Sequence, residues 1–206
     1  MITLEKRIYL ASRSPRRREL LKQIGVSFEL LLLRGDPNRG ADVDEARRPG
    51  ESAADYVIRI AGMKAQCGWL RVTQRLIPDH PVLAADTAVA IDGIILGKPA
   101  NKEDAVAMLK NLSGKQHDVF TAVAMCRRDH ADVRLSSSKV AFRELSEDEI
   151  RRYVATGESC DKAGAYAIQG RAASFVSQLC GSYSGVMGLP LFETEQLLAR
   201  FGYTVL

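Results

Sequence analysis

Apolar positions alternate between strand-like runs and helical spacing from the first residues onward. Ile8 to Ala11 is continuously apolar, Ser12 to Pro15 reads as a turn, and Leu20, Leu21 and Ile24 give Arg16 to Ile24 one apolar helical face. Ser14 suits the N-cap, Pro15 the first helical position and Gly25 the stop. Phe28 to Leu33 predicts a second strand, followed by a polar loop from Arg34 to about Gly50. Ser52 opens a helix from about Ala53 to Leu70, with Tyr56, Val57, Ile60 and Met63 on one side. Val82 to Ala85 predicts a buried strand, and Ala88 to Ile91 and Ile94 to Leu96 flank an Asp92-Gly93 hairpin turn. A helix follows over Lys102 to Leu112, ending at Gly114. His117 to Arg127 and Val133 to Arg143 alternate like an antiparallel pair, and Ser146 opens a helix over Glu147 to Ala155. The last third holds the stretch Phe175 to Leu179, a turn at Gly181 and a final helix over Leu189 to Phe201. Hairpins mixed with helices predict an α/β fold with a mixed β-sheet and flanking helices, rather than a doubly wound parallel one.

Composition narrows the chemistry. A chain of 206 residues fits one domain, or one domain with two lobes, and is long enough to bury a core. No apolar run approaches the roughly 20 residues of a membrane span, and the first residues lack a signal-peptide core, which points to the cytoplasm. The 4 cysteines are scattered without a CxxC pair and the 3 histidines are isolated, which disfavours zinc and a disulfide framework. A net charge of +4 suits an anionic substrate without implying nucleic acid.

Several segments carry candidate chemistry. Ser12-Arg13-Ser14-Pro15-Arg16-Arg17-Arg18 places hydroxyls and guanidiniums at a helix N-terminus, where unpaired N–H groups favour an anion. A solvated basic helix start, or a basic patch for nucleic acid or membrane, explains the same residues. Asp86, in Ala84-Ala85-Asp86-Thr87, is expected at the end of its strand, where a carboxylate escapes burial and can bind metal or orient water; a capping aspartate is the plainer reading. Asp42, Asp44 and Glu45 form an acidic knot suited to magnesium, or a solvated charge run. Gly97-Lys98-Pro99 fails the P-loop pattern, although Lys98 can still act as a phosphate point charge. Gly181-Ser182-Tyr183-Ser184-Gly185 has tyrosine where a hydrolase elbow needs its nucleophile, so serine-hydrolase chemistry is rejected. From Asp161 to Gly170 small residues mix with polar groups; Gln169 offers both donor and acceptor to a base edge, and a tight structural turn fits as well.

In this order the segments LASRSPRRRELL, VDE, AGMKA, LAADT, GKP, LSGKQHDVFTAVA, DKAGAYAIQG and VMGLPL resemble the successive motifs of the Maf family of nucleotide pyrophosphatases, from Ile8 to about Leu198. The resemblance implies an inosine-triphosphatase-like fold with two lobes around a cleft, a homodimer, and dependence on a divalent cation, Mg2+ or Mn2+. DKAGAY with IQG resembles the branch acting on dTTP and UTP, releasing the monophosphate and pyrophosphate, with modified pyrimidine nucleotides as further substrates. Carried over by motif, Ser12, Ser14, Arg16 and Arg17 hold the triphosphate, and Lys64 and Lys98 neutralise phosphate charge. Asp44 and Glu45 bind the metal together with Asp86, which is also the catalytic carboxylate. Asp161, Lys162 and Gln169 meet the substrate, Gln169 favouring a pyrimidine. The nucleoside triphosphate is then the partner, with no stable nucleic acid and no membrane. The alternatives are a 7-methyl-GTP pyrophosphatase of the same family and a non-catalytic, nucleotide-binding regulator of cell division or septum formation. The enzyme reading requires Arg16 and Asp86 to face one crevice. Gly62, inside the helix that carries Lys64, costs about 1 kcal/mol relative to alanine.

Overall fold

The computed structural model describes residues 7–34 and 42–205; part of the polar loop and the extreme N-terminal residues read above lie outside these. The chain runs β1 (Ile8–Leu10), α1 (Pro15–Gln23), β2 (Phe28–Leu30), α2 (Ala53–Gln74), β3 (Val82–Ile91), β4 (Ile94–Leu96), α3 (Lys102–Leu112), β5 (Gln116–Arg127), β6 (His130–Phe142), α4 (Glu147–Ala155), β7 (Val176–Cys180), α5 (Tyr183–Met187) and α6 (Leu191–Arg200). The strands form one mixed sheet in the order β2-β1-β3-β5-β6-β7, with β4 hanging on β3. Strands β2, β1 and β3 are parallel, and the rest pair antiparallel. The mixed α/β sheet with flanking helices expected from the sequence is therefore present.

Strand alternation divides β3 between two faces. Val82, Ala84 and Ala88 pack under α2 through Val57, Ala61, Ala65 and Val72. Leu83 and Ala85 meet α1 and α6 through Leu20, Leu21, Leu197 and Leu198. Farther along β3, Val89 and Ile91 join α3 and α4 in a third apolar cluster. Small residues let α2 lie close on the sheet: a Cβ at Gly68 would fall 2.6 Å from Val82 Cγ1. Among the described residues, no helix is long and apolar enough to cross a membrane.

Several boundaries differ from the sequence reading, β6 for example beginning at His130 rather than Val133, and four of the differences bear on the core and the site. The strand expected over Phe28 to Leu33 stops at Leu30, because β1 ends at Leu10 and offers one further carbonyl, to Leu31 N. Helix α2 continues past Leu70 to Gln74, since Val72 stays in phase with the buried stripe. The final helix begins at Leu191, after Pro190 at its N-cap. The two strands expected over Val82 to Ala85 and Ala88 to Ile91 are one, so Asp86 lies within β3 rather than at its end. Its carboxylate is tolerated there because Lys64 on α2 supplies a cation (Nζ to Oδ1, 2.8 Å).

The neighbours of β3 explain where a cleft opens. On one edge β5 is registered from Val82 to Ala90. On the other, β1 pairs only at Val82 and Leu83, and β4 joins at Val89. Between those points this edge of β3 has no strand partner, with β1 and α1 to one side of the gap and β4 and α3 to the other.

Candidate active site

A crevice of about 1150 Å³ lies over this gap, lined by residues from both sides of it. Every residue given a role by the family resemblance lines it: Ser12, Ser14, Arg16, Arg17, Asp44, Glu45, Lys64, Asp86, Lys98, Asp161, Lys162 and Gln169; Asp42 of the acidic knot does not, being paired with Arg34 and Arg71 instead. Arg16 and Asp86 thus share one cavity.

Alternation on β3 sets its floor. Asp86 falls on the α2 side, in phase with Val82, Ala84 and Ala88, and Lys64 falls on the sheet-facing stripe of α2. The Lys64 ammonium donates to Asp86 Oδ1 at 2.8 Å and pairs with Glu45 Oε1 at 2.9 Å, so both carboxylates reach one point. Loop 42–51, which brings Glu45, is tied to α2 at several points. Tyr56 Oη donates to the Glu45 carbonyl at 3.1 Å, Arg59 grips Glu51 and the Ala46 carbonyl, and Arg71 holds Asp42. Asp44 is exposed on the crevice wall, and its Oδ1 accepts from Ala46 N at 2.9 Å. Burial, and then the charges of Asp86 and Glu45, push the Tyr56 phenol up to about 12, so it stays a donor.

Thr87 falls on the opposite face, toward α1, where Arg17 meets it. Arg17 donates from Nε to the Gly188 carbonyl (2.7 Å), from Nη1 to Ser12 Oγ (3.3 Å) and from Nη2 to Thr87 Oγ1 (3.3 Å). Thr121 Oγ1 lies 3.0 Å from Thr87 Oγ1 and 2.8 Å from the Gly185 carbonyl, with one proton to share between the two acceptors. The guanidinium is locked in place; burial lowers its pKa, opposed by the charge of Asp86. Among the described residues, Arg16 is anchored only through Nε, to the Met187 carbonyl at 3.2 Å. Ser14 is the N-cap of α1, with Pro15 in the first turn, and its side chain makes no capping bond; its N–H donates to Ser12 Oγ at 3.2 Å. The start of α1 therefore opens on the crevice with hydroxyls and guanidiniums around it.

The far wall comes from the loop before β7. Asp161 accepts from Lys162, which holds its carboxyl below the usual range, and Gln169 is exposed at the rim. Tyr166 lines the cavity while its hydroxyl lies 2.9 Å from His117 Nε2. Burial brings His117 down to about 4, so it is neutral and structural.

Sequence reasoning missed Thr87, Thr121, Tyr56 and Arg59. Tyr56 was legible: it lies about two turns before Lys64 on the same helix. The threonines carried no signal, since their partners come from distant elements.

A conserved-domain description, "Maf-like protein", matches residues 7–201. The chain belongs to the Maf family. It is 57% identical over 204 residues to the dTTP/UTP pyrophosphatase of Aromatoleum aromaticum, covering 98% of this chain and 99% of that one. It is 57% identical over 198 residues to the protein of the same name from Nitrosomonas europaea, covering 96% of each. Among solved structures, the Staphylococcus aureus Ham1 protein aligns with 82% of this Maf-family chain and 91% of its own, at 16% identity and a TM-score of 0.47.

No group of three or more His, Cys, Asp or Glu side chains among the described residues is placed to hold a metal. The donors do fit a hard cation of the magnesium type, which takes one or two carboxylates and completes its shell with water and substrate oxygens. Asp86 and Glu45 already face a common cation, the Lys64 ammonium.

Proposed function

We propose that the chain hydrolyses dTTP and UTP to the monophosphate and pyrophosphate, as the names of its relatives say of them, through water attack at the α-phosphorus. The observation that carries this reading is Lys64 bridging Asp86 and Glu45 on the floor of a crevice whose other end is the arginine-rich start of α1. A pure anion site has no use for paired carboxylates, which repel phosphate; a hydrolytic one does.

In this reading Ser12, Ser14, Arg16 and Arg17 hold the triphosphate at the α1 terminus, where pre-set donors stabilise charge without reorganising. Arg17, already fixed by Gly188, Ser12 and Thr87, sets the position; Arg16, with fewer ties, follows the leaving pyrophosphate. Lys98 and Lys162 neutralise the mouth, and Asp161 keeps the Lys162 ammonium in place. Asp86 takes the proton of the attacking water, and Lys64 steadies the carboxylate and screens it from Glu45. Asp86 and Glu45, with Asp44 beside them, would hold Mg2+ or Mn2+, which supplies charge neutralisation at phosphate oxygens and a more acidic water. Gln169 reads the O and N–H edge shared by thymine and uracil. The working form is a homodimeric cytoplasmic enzyme of one two-lobed domain, with no membrane or stable nucleic acid partner.

The test is pyrophosphate release by the purified protein across canonical and modified triphosphates. The expected result is magnesium- or manganese-dependent cleavage of dTTP and UTP, abolished by chelation. A strong preference for 7-methyl-GTP, or no cleavage of any triphosphate, refutes the reading.

A further inference from the structure

The side chain of Gln169 is exposed at the rim, yet the backbone on both sides of it is gripped from behind by a pair of residues outside the crevice lining. Tyr153, on α4, accepts at Oη from Ala167 N (3.3 Å) and donates to Glu158 Oε1 (3.0 Å). Glu158 Oε2 in turn accepts from Arg171 N at 3.2 Å. Gly170 backs so closely onto this carboxylate that a Cβ there would lie 2.4 Å from Oε1. The phenol is buried and meets Phe175 edge-on (ring centroids 5.1 Å apart); burial, and then Glu158, raise its pKa, so it keeps the proton it donates. Flanking residues on either side of Gln169 are thus hydrogen-bonded to one carboxylate–phenol pair, with no slack at Gly170 between them.

We infer that Glu158 and Tyr153 are positioning residues for base selection, acting through Gln169. The inference rests on the reading of Gln169 as the base-facing group. A readout amide discriminates only if its donor and acceptor are held in place, because a rotating amide pairs with other base edges equally well. Helix α4 supplies a rigid anchor: Ser146 and Glu149 close a capping box at its start, and Ile150 and Val154 bury its inner face. The pair touches neither the phosphate-binding nor the carboxylate end of the crevice, so its loss spares the chemistry.

The experiment compares wild type with Tyr153→Phe, Glu158→Gln and Gln169→Ala. For each, kcat and KM are measured with dTTP, UTP, CTP and GTP, together with inhibition by inorganic tripolyphosphate, which has no base. The expected result in both positioning variants is a fall of about tenfold in preference for dTTP and UTP, the worth of one well-made hydrogen bond. The fall appears in KM, with kcat and tripolyphosphate inhibition within about twofold of wild type. Gln169→Ala made on top of Tyr153→Phe adds little, because both act through one group. Weakening of tripolyphosphate inhibition in step with the KM change would mean general distortion and overturn the inference. So would unchanged preference in both positioning variants while Gln169→Ala loses it, and that result leaves the proposed activity standing. Unchanged preference in Gln169→Ala itself removes the base-reading role and this inference together, while dTTP cleavage by wild type still reports on the activity separately.

Discussion

Helix α2 extends two cations to two aspartates about two turns apart, and the pairs behave differently. Arg71 and Arg34 saturate Asp42: its carboxylate accepts from Arg34 N and Nε, each at 2.9 Å, and from Arg71, with its side chain 2% exposed. Among the described residues, only the side chain of Lys64 holds Asp86, at one oxygen, with 12% of the Asp86 side chain exposed. Hydrogen bonds from the two arginines hold Asp42 below the usual carboxylate range, although burial alone would push it up. A carboxylate with both oxygens engaged fastens a loop; one with an oxygen left over, facing a cavity, can take a proton or a cation. The two share residue type, sign of partner and supporting helix, so the difference lies in how completely each is satisfied.

Substitution at the two positions should separate those roles. The largest effect is expected for Asp86→Asn, which keeps the shape and removes the base. Turnover of dTTP should fall about 1000-fold with KM little changed, and near-normal turnover would remove Asp86 from catalysis. Asp42→Ala should act on stability instead. Urea unfolding should show a loss of roughly 3 kcal/mol, at the low end for a broken buried pair because Arg34 is largely solvated, and each folded molecule should retain far more turnover than Asp86→Asn does. The wild-type contribution of Asp42 has a defined pH direction. Since its folded pKa is depressed, the stabilisation is complete above the ordinary carboxylate range and is lost as pH falls through the folded value, a loss the alanine variant should lack. The smallest effect is expected at Gly62, just before Lys64 on the same helix. A Cβ there would meet Val133 Cγ2 at 3.7 Å, an ordinary contact. Gly62→Ala should therefore stabilise the protein by about 1 kcal/mol and leave activity unchanged, as a thermal melt and a dTTP assay would show; a loss of turnover would mean that α2 needs its flexibility to present Lys64.

The same contrast marks what the sequence made legible. Periodicity found α3 and α4 to the residue, with Asn101 and Ser146 capping them as their side chains allow. Order and spacing of motifs picked out the crevice-lining residues. What escaped was satisfaction. Asp42, Asp44 and Glu45 look alike in one acidic knot, and only the fold sends Asp42 to two arginines and Glu45 to Lys64. Asp86 was expected at a strand end because a lone carboxylate inside an apolar strand is costly; its neutralising partner comes 22 residues earlier, beyond the reach of local pattern. The Thr87–Thr121 chain went unseen for the same reason.

The unbroken course of β3 beneath the crevice has a mechanical consequence. The crevice is a parting of strands along one margin of a shared strand, while β5 braces the other margin through Asp86 and Ala122. Swinging the two walls of the crevice together would shear that ladder, so the floor is built ready-made and adjustment falls to the segments around the mouth. Such a division leaves the rim free to adapt to a ligand while the acid-bearing strand underneath keeps its geometry.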